Sequence, residues 1–143
     1  MSDIKITGSG TISSTNPWQW WPCKYLPCRV DWRPHLIVFN KIERVTIEGV
    51  TLKDAPNHNV EVVESVTNRL HDLIFTAPYI SPNTDGVNFY GGFDSVLKDS
   101  TIDNGDDCIS GEIEQRAKRR VEIDKVGYES RTGLCLQASP MPL

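Results

Sequence analysis

The feature that most constrains this chain is a recurrence of strand and turn in fixed phase. Val60 in "NHNVEV", Val87 in "NTDGVNF", Ile109 in "GDDCIS" and Leu134 in "RTGLCL" each sit in a short apolar segment, at intervals of 27, 22 and 25 residues. A second series, Leu52, Ile80 and Ile102, recurs at 28 and 22. Units this short cannot bury an apolar side alone, so they must stack on one another as a solenoid. A β-sandwich would also supply short strands and turns, but it does not require the same turn chemistry at the same phase. The fold expected is therefore all-β, a right-handed parallel β-helix of four or so coils, spaced ~4.8 Å apart like neighbouring strands of any sheet.

The strand segments themselves agree. "HLIVF" (35–39), "RVTIEGVTL" (44–52), "NVEVV" (59–63), "RLHDLIF" (69–75), "GVNFY" (86–90), "SVLKDSTI" (95–102), "CIS" (108–110) and "RRVEIDKV" (119–126) are rich in Val, Ile and Thr and are punctuated by turn residues. "GEIEQRAKRR" (111–120) dissents and reads either as a helical turn or as a polar loop. The 143 residues suit one domain, a partial β-helix, with 111–143 as a divergent tail. A net charge of −4 gives no reason to expect nucleic acid or an anionic membrane as partner. No stretch approaches the ~20 apolar residues of a membrane span, and "MSDIKITGSG" lacks the apolar core of a signal peptide. Cys23 and Cys28 could close a local loop, and whether Cys108 pairs with Cys135 stays open. No pair of cysteines or histidines has zinc-site spacing, so no metal is expected.

The phase gives the acidic segments their meaning. His58, Asp85, Asp107 and Thr132 each stand two residues before their repeat position, so a stacked solenoid sets them in one column. Asp106 lies beside Asp107, and three carboxylates converge from two coils. Strict alternation would turn Asp85 inward with Val87, so a bend is needed, which Gly86 permits; none is evident after Asp107. Like charges this close force at least one carboxyl to hold its proton to higher pH while the others ionise. Glycoside hydrolysis requires that division of labour, with an acid for the leaving oxygen and a base for water. Asn/Asp-rich turns that merely reverse the chain are an alternative reading, as is a calcium site, although the EF-hand pattern is not met.

"NTDG" (83–86) followed by "GDDC" (105–108) resembles the signature of glycoside hydrolase family 28, the polygalacturonases and related pectin hydrolases. "GSGTI" (8–12), the pair Trp20 and Trp21, "RPHLIVF" and "VTIEGVTLKDAPNHNVEV" extend the resemblance over roughly residues 5–110. The resemblance implies the pectin-lyase-like β-helix, with Asp106 as general acid and Asp85 and Asp107 as the carboxylates that activate water. It places Asn83 in the cleft and implies inversion, with acid and base ~6.5–9.5 Å apart. His58, one coil before Asp85, is a candidate for contact with substrate. The implied substrate is α-1,4-linked galacturonan of pectin, with no cofactor, by a monomer secreted as part of a full-length parent.

This sequence also departs from the family pattern. Enzymes of the family carry a Gly-His-Gly motif on the next coil and then an Arg-x-Lys that binds the substrate carboxylate. Here "SRTGLCLQAS" puts Thr132 in the histidine slot and Arg131 in that of the first glycine, and no Arg-x-Lys follows. The expectation is an impaired, truncated member, or else a non-catalytic solenoid that binds polysaccharide. Trp18, Trp20 and Trp21 read as a packed surface loop or as sugar-stacking aromatics. His35 and His71, beside and within apolar strands, read as structural.

Overall fold

The computed structural model describes residues 2–26, 33–112 and 121–128. Twelve strands run in chain order: β1 (Ile4–Thr7), β2 (Thr11–Ser13), β3 (Ile37–Asn40), β4 (Val45–Glu48), β5 (Thr51–Lys53), β6 (Val60–Val63), β7 (Val66–His71), β8 (Ile74–Thr76), β9 (Val87–Tyr90), β10 (Phe93–Asp103), β11 (Ile109–Glu112) and β12 (Val121–Tyr128). Two short 3-10 turns, Pro17–Gln19 and Trp21–Lys24, lie between β2 and β3.

Among the described residues every strand pairing is parallel, and each joins one coil to the next. β1, β4, β7, β10 and β12 line one face, and β2, β5, β8 and the end of β10 line a second. β3, β6, β9 and β11 line a third. The chain is a right-handed parallel β-helix of about three turns. β10 passes without a break from one face to the next, pairing β7 through Lys98 and β8 from Thr101.

In-register stacking explains the sequence pattern. The alternation of Val45, Ile47, Val60 and Val62 with polar neighbours sends one side of each strand inward. Rungs then place Ile47 on Leu70 on Leu97, Val60 on Val87 on Ile109, and Phe39 on Val62 on Phe89. All of these side chains are buried and form one continuous core. Burial of this kind is the main source of stability, at roughly 25 cal/mol per Å² of apolar surface.

The first phase series holds: Val60, Val87 and Ile109 are register partners, and Leu134 lies outside the described residues. The second needs correction, because Leu52 stacks on Phe75 and Phe75 on Ile102, while Ile80 is 57% exposed in a turn. The cause is local. Asp72 (φ 55°) divides "RLHDLIF" into two strands just as Gly49 (φ 77°) and Asp99 (φ 48°) bend the neighbouring coils, and Phe75 follows Leu52 by only 23 residues, so the strand position is filled before Ile80 is reached. The chain then has residues to spare for the long turn around Tyr79–Asn83. Of "GEIEQRAKRR", residues 111–112 belong to β11 and the rest lies outside the described residues. β12 carries the solenoid on past it, in register with β10.

Candidate active site

The third face carries the polar column, on the turns that lead into β3, β6, β9 and β11. Backbone bonds step from coil to coil: Asn59 N–H donates to Asp85 O (2.9 Å) and Gly86 N–H to Asp107 O (3.0 Å). His58, Asp85 and Asp107 therefore occupy equivalent positions, as the phase requires. Thr132 lies outside the described residues.

Gly86 acts differently from expectation. Its φ is not in the left-handed region, so it supplies no special bend. Instead a Cβ there would run into the Cys108 carbonyl and approach Ile102 Cδ1 to 3.0 Å. Glycine lets the two coils close at the point where Asp85 and Asp107 must be neighbours. The bend before β11 is made by Asn104, whose Oδ1 accepts from Asp106 N–H (3.3 Å) and whose Nδ2 donates to Asp107 O (3.1 Å). This is an Asx-type turn.

Asp106 is held by three donors. Asn83 gives its backbone N–H (3.0 Å) and its amide Nδ2 (3.3 Å) to Asp106 Oδ2. Asp107 N–H reaches Asp106 Oδ1 at 3.1 Å. Asn83 manages both bonds from a positive φ of 56°, a conformation that asparagine tolerates better than most residues. Arg33 in turn fixes Asn83. It is buried, and its guanidinium donates to Asn83 Oδ1 (2.6 Å), Pro82 O (2.8 Å) and Pro56 O (3.0 Å). No local pattern in "WRPH" marks this role.

Asp85 is the most buried of the trio, 6% exposed. Its Oδ2 accepts from Asn88 Nδ2 at 3.0 Å and lies 3.8 Å from His58 Nε2. Burial pushes its carboxyl above the ordinary carboxylate range, and the charge of Asp106 adds to this. His58 and the Asn88 bond act the other way. Asp107 is also raised, first by burial and then by repulsion from Asp85 and Asp106. Asp85 and Asp107 thus each feel the charges of neighbouring carboxylates as well as their own burial. Resemblance assigns the acid to Asp106, whereas the environment makes Asp85 and Asp107 the reluctant ones to ionise.

The column reaches one coil further than the sequence reading carried it. His35 stands two residues before Ile37, itself the register partner of Val60. Its ring centroid lies 4.7 Å from that of His58, so His35 belongs to the site face. The rule that found His58 and Asp85 would have found His35 had Ile37 been included in the phase series. Glu61 joins the two imidazoles, at 2.8 Å from His58 Nδ1 and 3.5 Å from His35 Nε2. Burial depresses the His35 ring below the usual histidine range, ahead of the opposing pull of Glu61.

Among the tryptophans, Trp21 is buried and donates from Nε1 to Ala55 O at 3.0 Å. Trp18 meets it edge-on with centroids 4.9 Å apart, and is itself 55% exposed. His71 lies on another face, paired with Asp72. Cys23 and Cys108 are each disulfide-bonded, and Cys28 and Cys135 fall outside the described residues.

A parallel β-helix with a titratable column along one face is the class that fold and site define. Within that class the chain belongs to the glycosyl hydrolases family 28, whose family model matches residues 1–135. Polygalacturonase QRT2 of Arabidopsis thaliana is 30% identical over 115 residues, 77% of this chain and 26% of that protein. A polygalacturonase of Persea americana is 31% identical over 115 residues, 77% of this chain and 24% of the relative. An exopolygalacturonase of Arabidopsis thaliana, clone GBGE184, is 28% identical over 129 residues, 88% of this chain and 29% of its own length. The chain therefore spans roughly a quarter of these curated relatives. In fold, the chain matches the polygalacturonase from Erwinia carotovora ssp. carotovora with a TM-score of 0.72 at 22% identity, covering 90% of this chain and 37% of that one.

Proposed function

We propose that this chain carries the carboxylate part of an inverting glycoside hydrolase site for α-1,4-linked galacturonan, the backbone of pectin. The observation that carries the reading is the convergence of Asp85, Asp106 and Asp107 from two successive rungs, with Asn83 bonded to Asp106. In this reading Asp106 protonates the glycosidic oxygen, and Asp85 and Asp107 hold and deprotonate the attacking water. Asn83 sets the Asp106 carboxylate, and His58 contacts a sugar hydroxyl or carboxylate. The names of the relatives support galacturonan as substrate, and secretion, action on plant cell walls and a monomeric state belong to the same proposal. Among the described residues no helix is long and apolar enough to cross a membrane.

By itself, the 143-residue chain is expected to be a poor catalyst. A threonine in the histidine slot donates a hydrogen bond but does not titrate near neutrality, and no Arg-x-Lys for the substrate carboxylate follows "SRTGLCLQAS" in this sequence. The test is a chimera in which residues 1–110 replace the matching segment of an active relative, beside the 143-residue chain alone. Reducing-end release from polygalacturonate is expected from the chimera, with a loss of at least about 10²-fold in Asp106→Asn, the scale of general-acid catalysis. A folded chimera that binds polygalacturonate without cutting it would overturn the catalytic reading in favour of a non-catalytic polysaccharide binder. Rapid cleavage by the 143-residue chain, abolished by Asp106→Asn, would instead overturn the expected impairment.

A further inference from the structure

His35, His58 and Glu61 form a cluster of which the proposed hydrolytic roles use only His58. One ligand atom from each lies within 4.8 Å of the other two, and the three side chains are 23%, 18% and 13% exposed, so they are sheltered yet reachable. The hydrogen bonding at its centre does not close. His58 Nδ1 lies 2.8 Å from Glu61 Oε1 and also 2.8 Å from Asn88 Nδ2. One ring nitrogen cannot donate to a carboxylate and accept from an amide at once. Turning the Asn88 amide does not help, because its oxygen would then face Asp85 Oδ2, now 3.0 Å from the nitrogen. Asn88 Oδ1 is itself buried without a partner. Three lone-pair donors thus converge on a point that too few protons serve.

We propose that His35 Nε2, His58 Nδ1 and Glu61 Oε1 bind a divalent transition-metal ion of the zinc type. Two imidazoles and one carboxylate are a donor set suited to Zn²⁺, and the partial exposure leaves a coordination position for water or another oxygen ligand. Ligands ~2.1 Å from a tetrahedral ion stand ~3.4 Å apart. The His35–Glu61 edge of 3.5 Å already fits, and the 2.8 Å His58–Glu61 edge opens by rotation of the Glu61 carboxylate. The outer partners also fit. His58 Nε2 faces Asp85 Oδ2 at 3.8 Å, the carboxylate–histidine arrangement that orients metal-bound imidazoles. His35 Nδ1 faces the Asn57 amide at 3.5 Å. No zinc spacing is visible in the sequence because His35 and His58 are brought together only by stacking of β3 on β6.

The site shares His58 with the hydrolytic reading and borders Asp85, but binding tests it without any activity assay. The untagged 143-residue chain, freed of metal by chelator, is titrated with Zn²⁺ at pH 7.5 by calorimetry. One ion per chain is expected, with affinity at least about tenfold weaker in Glu61→Gln and in His35→Gln. His71→Gln, which disables the separate Glu48–His71–Asp72 cluster, should bind as the parent does. Should the variants fold poorly, the parent alone decides by NMR, since the chain has three histidines. The ring signals of His35 and His58 should move with Zn²⁺ while that of His71 stays. Absence of stoichiometric binding, binding lost with His71→Gln, or movement of the His71 ring alone would overturn the proposal.

Discussion

Gly86→Ala tests how closely the two acid-bearing coils must approach. The backbone at Gly86 is of ordinary hand, so alanine meets no conformational objection. The obstacle is contact: the new methyl would overlap the Cys108 carbonyl and press on Ile102 Cδ1 and Cγ2 at 3.0 and 3.1 Å. Cys108 and Ile102 are fully buried, and the carbonyl is backbone, so neither can swing aside. Restoring normal contact means moving the rungs apart by roughly 1 Å. The bonds Gly86 N–H to Asp107 O (3.0 Å) and Val87 N–H to Cys108 O (3.1 Å) would then stretch beyond useful length. Two lost bonds at about 0.5–1.5 kcal/mol each, with the disturbed packing of Ile102, give a cost of about 2–4 kcal/mol. For a chain of this size that corresponds to a fall in Tm of roughly 6–15 °C. Gly127→Ala is the matched control, since its added Cβ would meet only Thr101 Oγ1 at 3.8 Å. Alanine there should be neutral or slightly stabilising, by up to ~1 kcal/mol. Thermal melts followed by circular dichroism compare the pair. Equal Tm values for Gly86→Ala and the parent would refute the close-approach reasoning.

Two further outcomes follow from the site. Asp85→Asn should raise Tm at pH 7.5, because the parent must ionise a carboxyl whose folded-state pKa lies above its unfolded value. In that case the folded state binds more protons than the unfolded one, so the parent loses stability as pH rises through the window between those pKa values. The advantage of asparagine should shrink as pH falls toward ~4, and a gain that does not vary with pH would contradict the burial argument. Arg33→Gln strands the Pro56 and Pro82 carbonyls and releases Asn83. A loss on the order of 2–3 kcal/mol is expected, read as a lower urea midpoint, and an unchanged midpoint would show that Arg33 does not brace the turn.

Much of the fold was legible because parallel stacking imposes one register on every coil. Val60, Val87 and Ile109 repeat in sequence since they repeat in space. The same rule located His58, Asp85 and Asp107. It failed at Ile80, because this coil reaches its strand after 23 residues and Phe75 takes the expected place. Periodicity reports the average coil, and a turn that lengthens while a strand moves early leaves the count almost unchanged. Arg33 was illegible for another reason: it reaches across two coils to carbonyls and to Asn83. No local pattern marks a long side chain that braces another coil's turn. Gly86 was singled out correctly but for its torsional freedom, whereas its lack of a side chain is what the packing uses.

The in-register ladder also has a consequence for how the site comes into being. On the third face β9 can gain β11 only after the intervening chain has travelled a full circuit through β10. Asp85 belongs to the earlier circuit, and Asp106 and Asp107 to the later one. Docking of that later rung closes the Gly86 and Val87 amides onto Asp107 and Cys108. In a solenoid, rungs can open locally at a cost below that of global unfolding. Amide exchange at Gly86 and Val87 therefore measures how often the carboxylate trio is dismantled in the native protein.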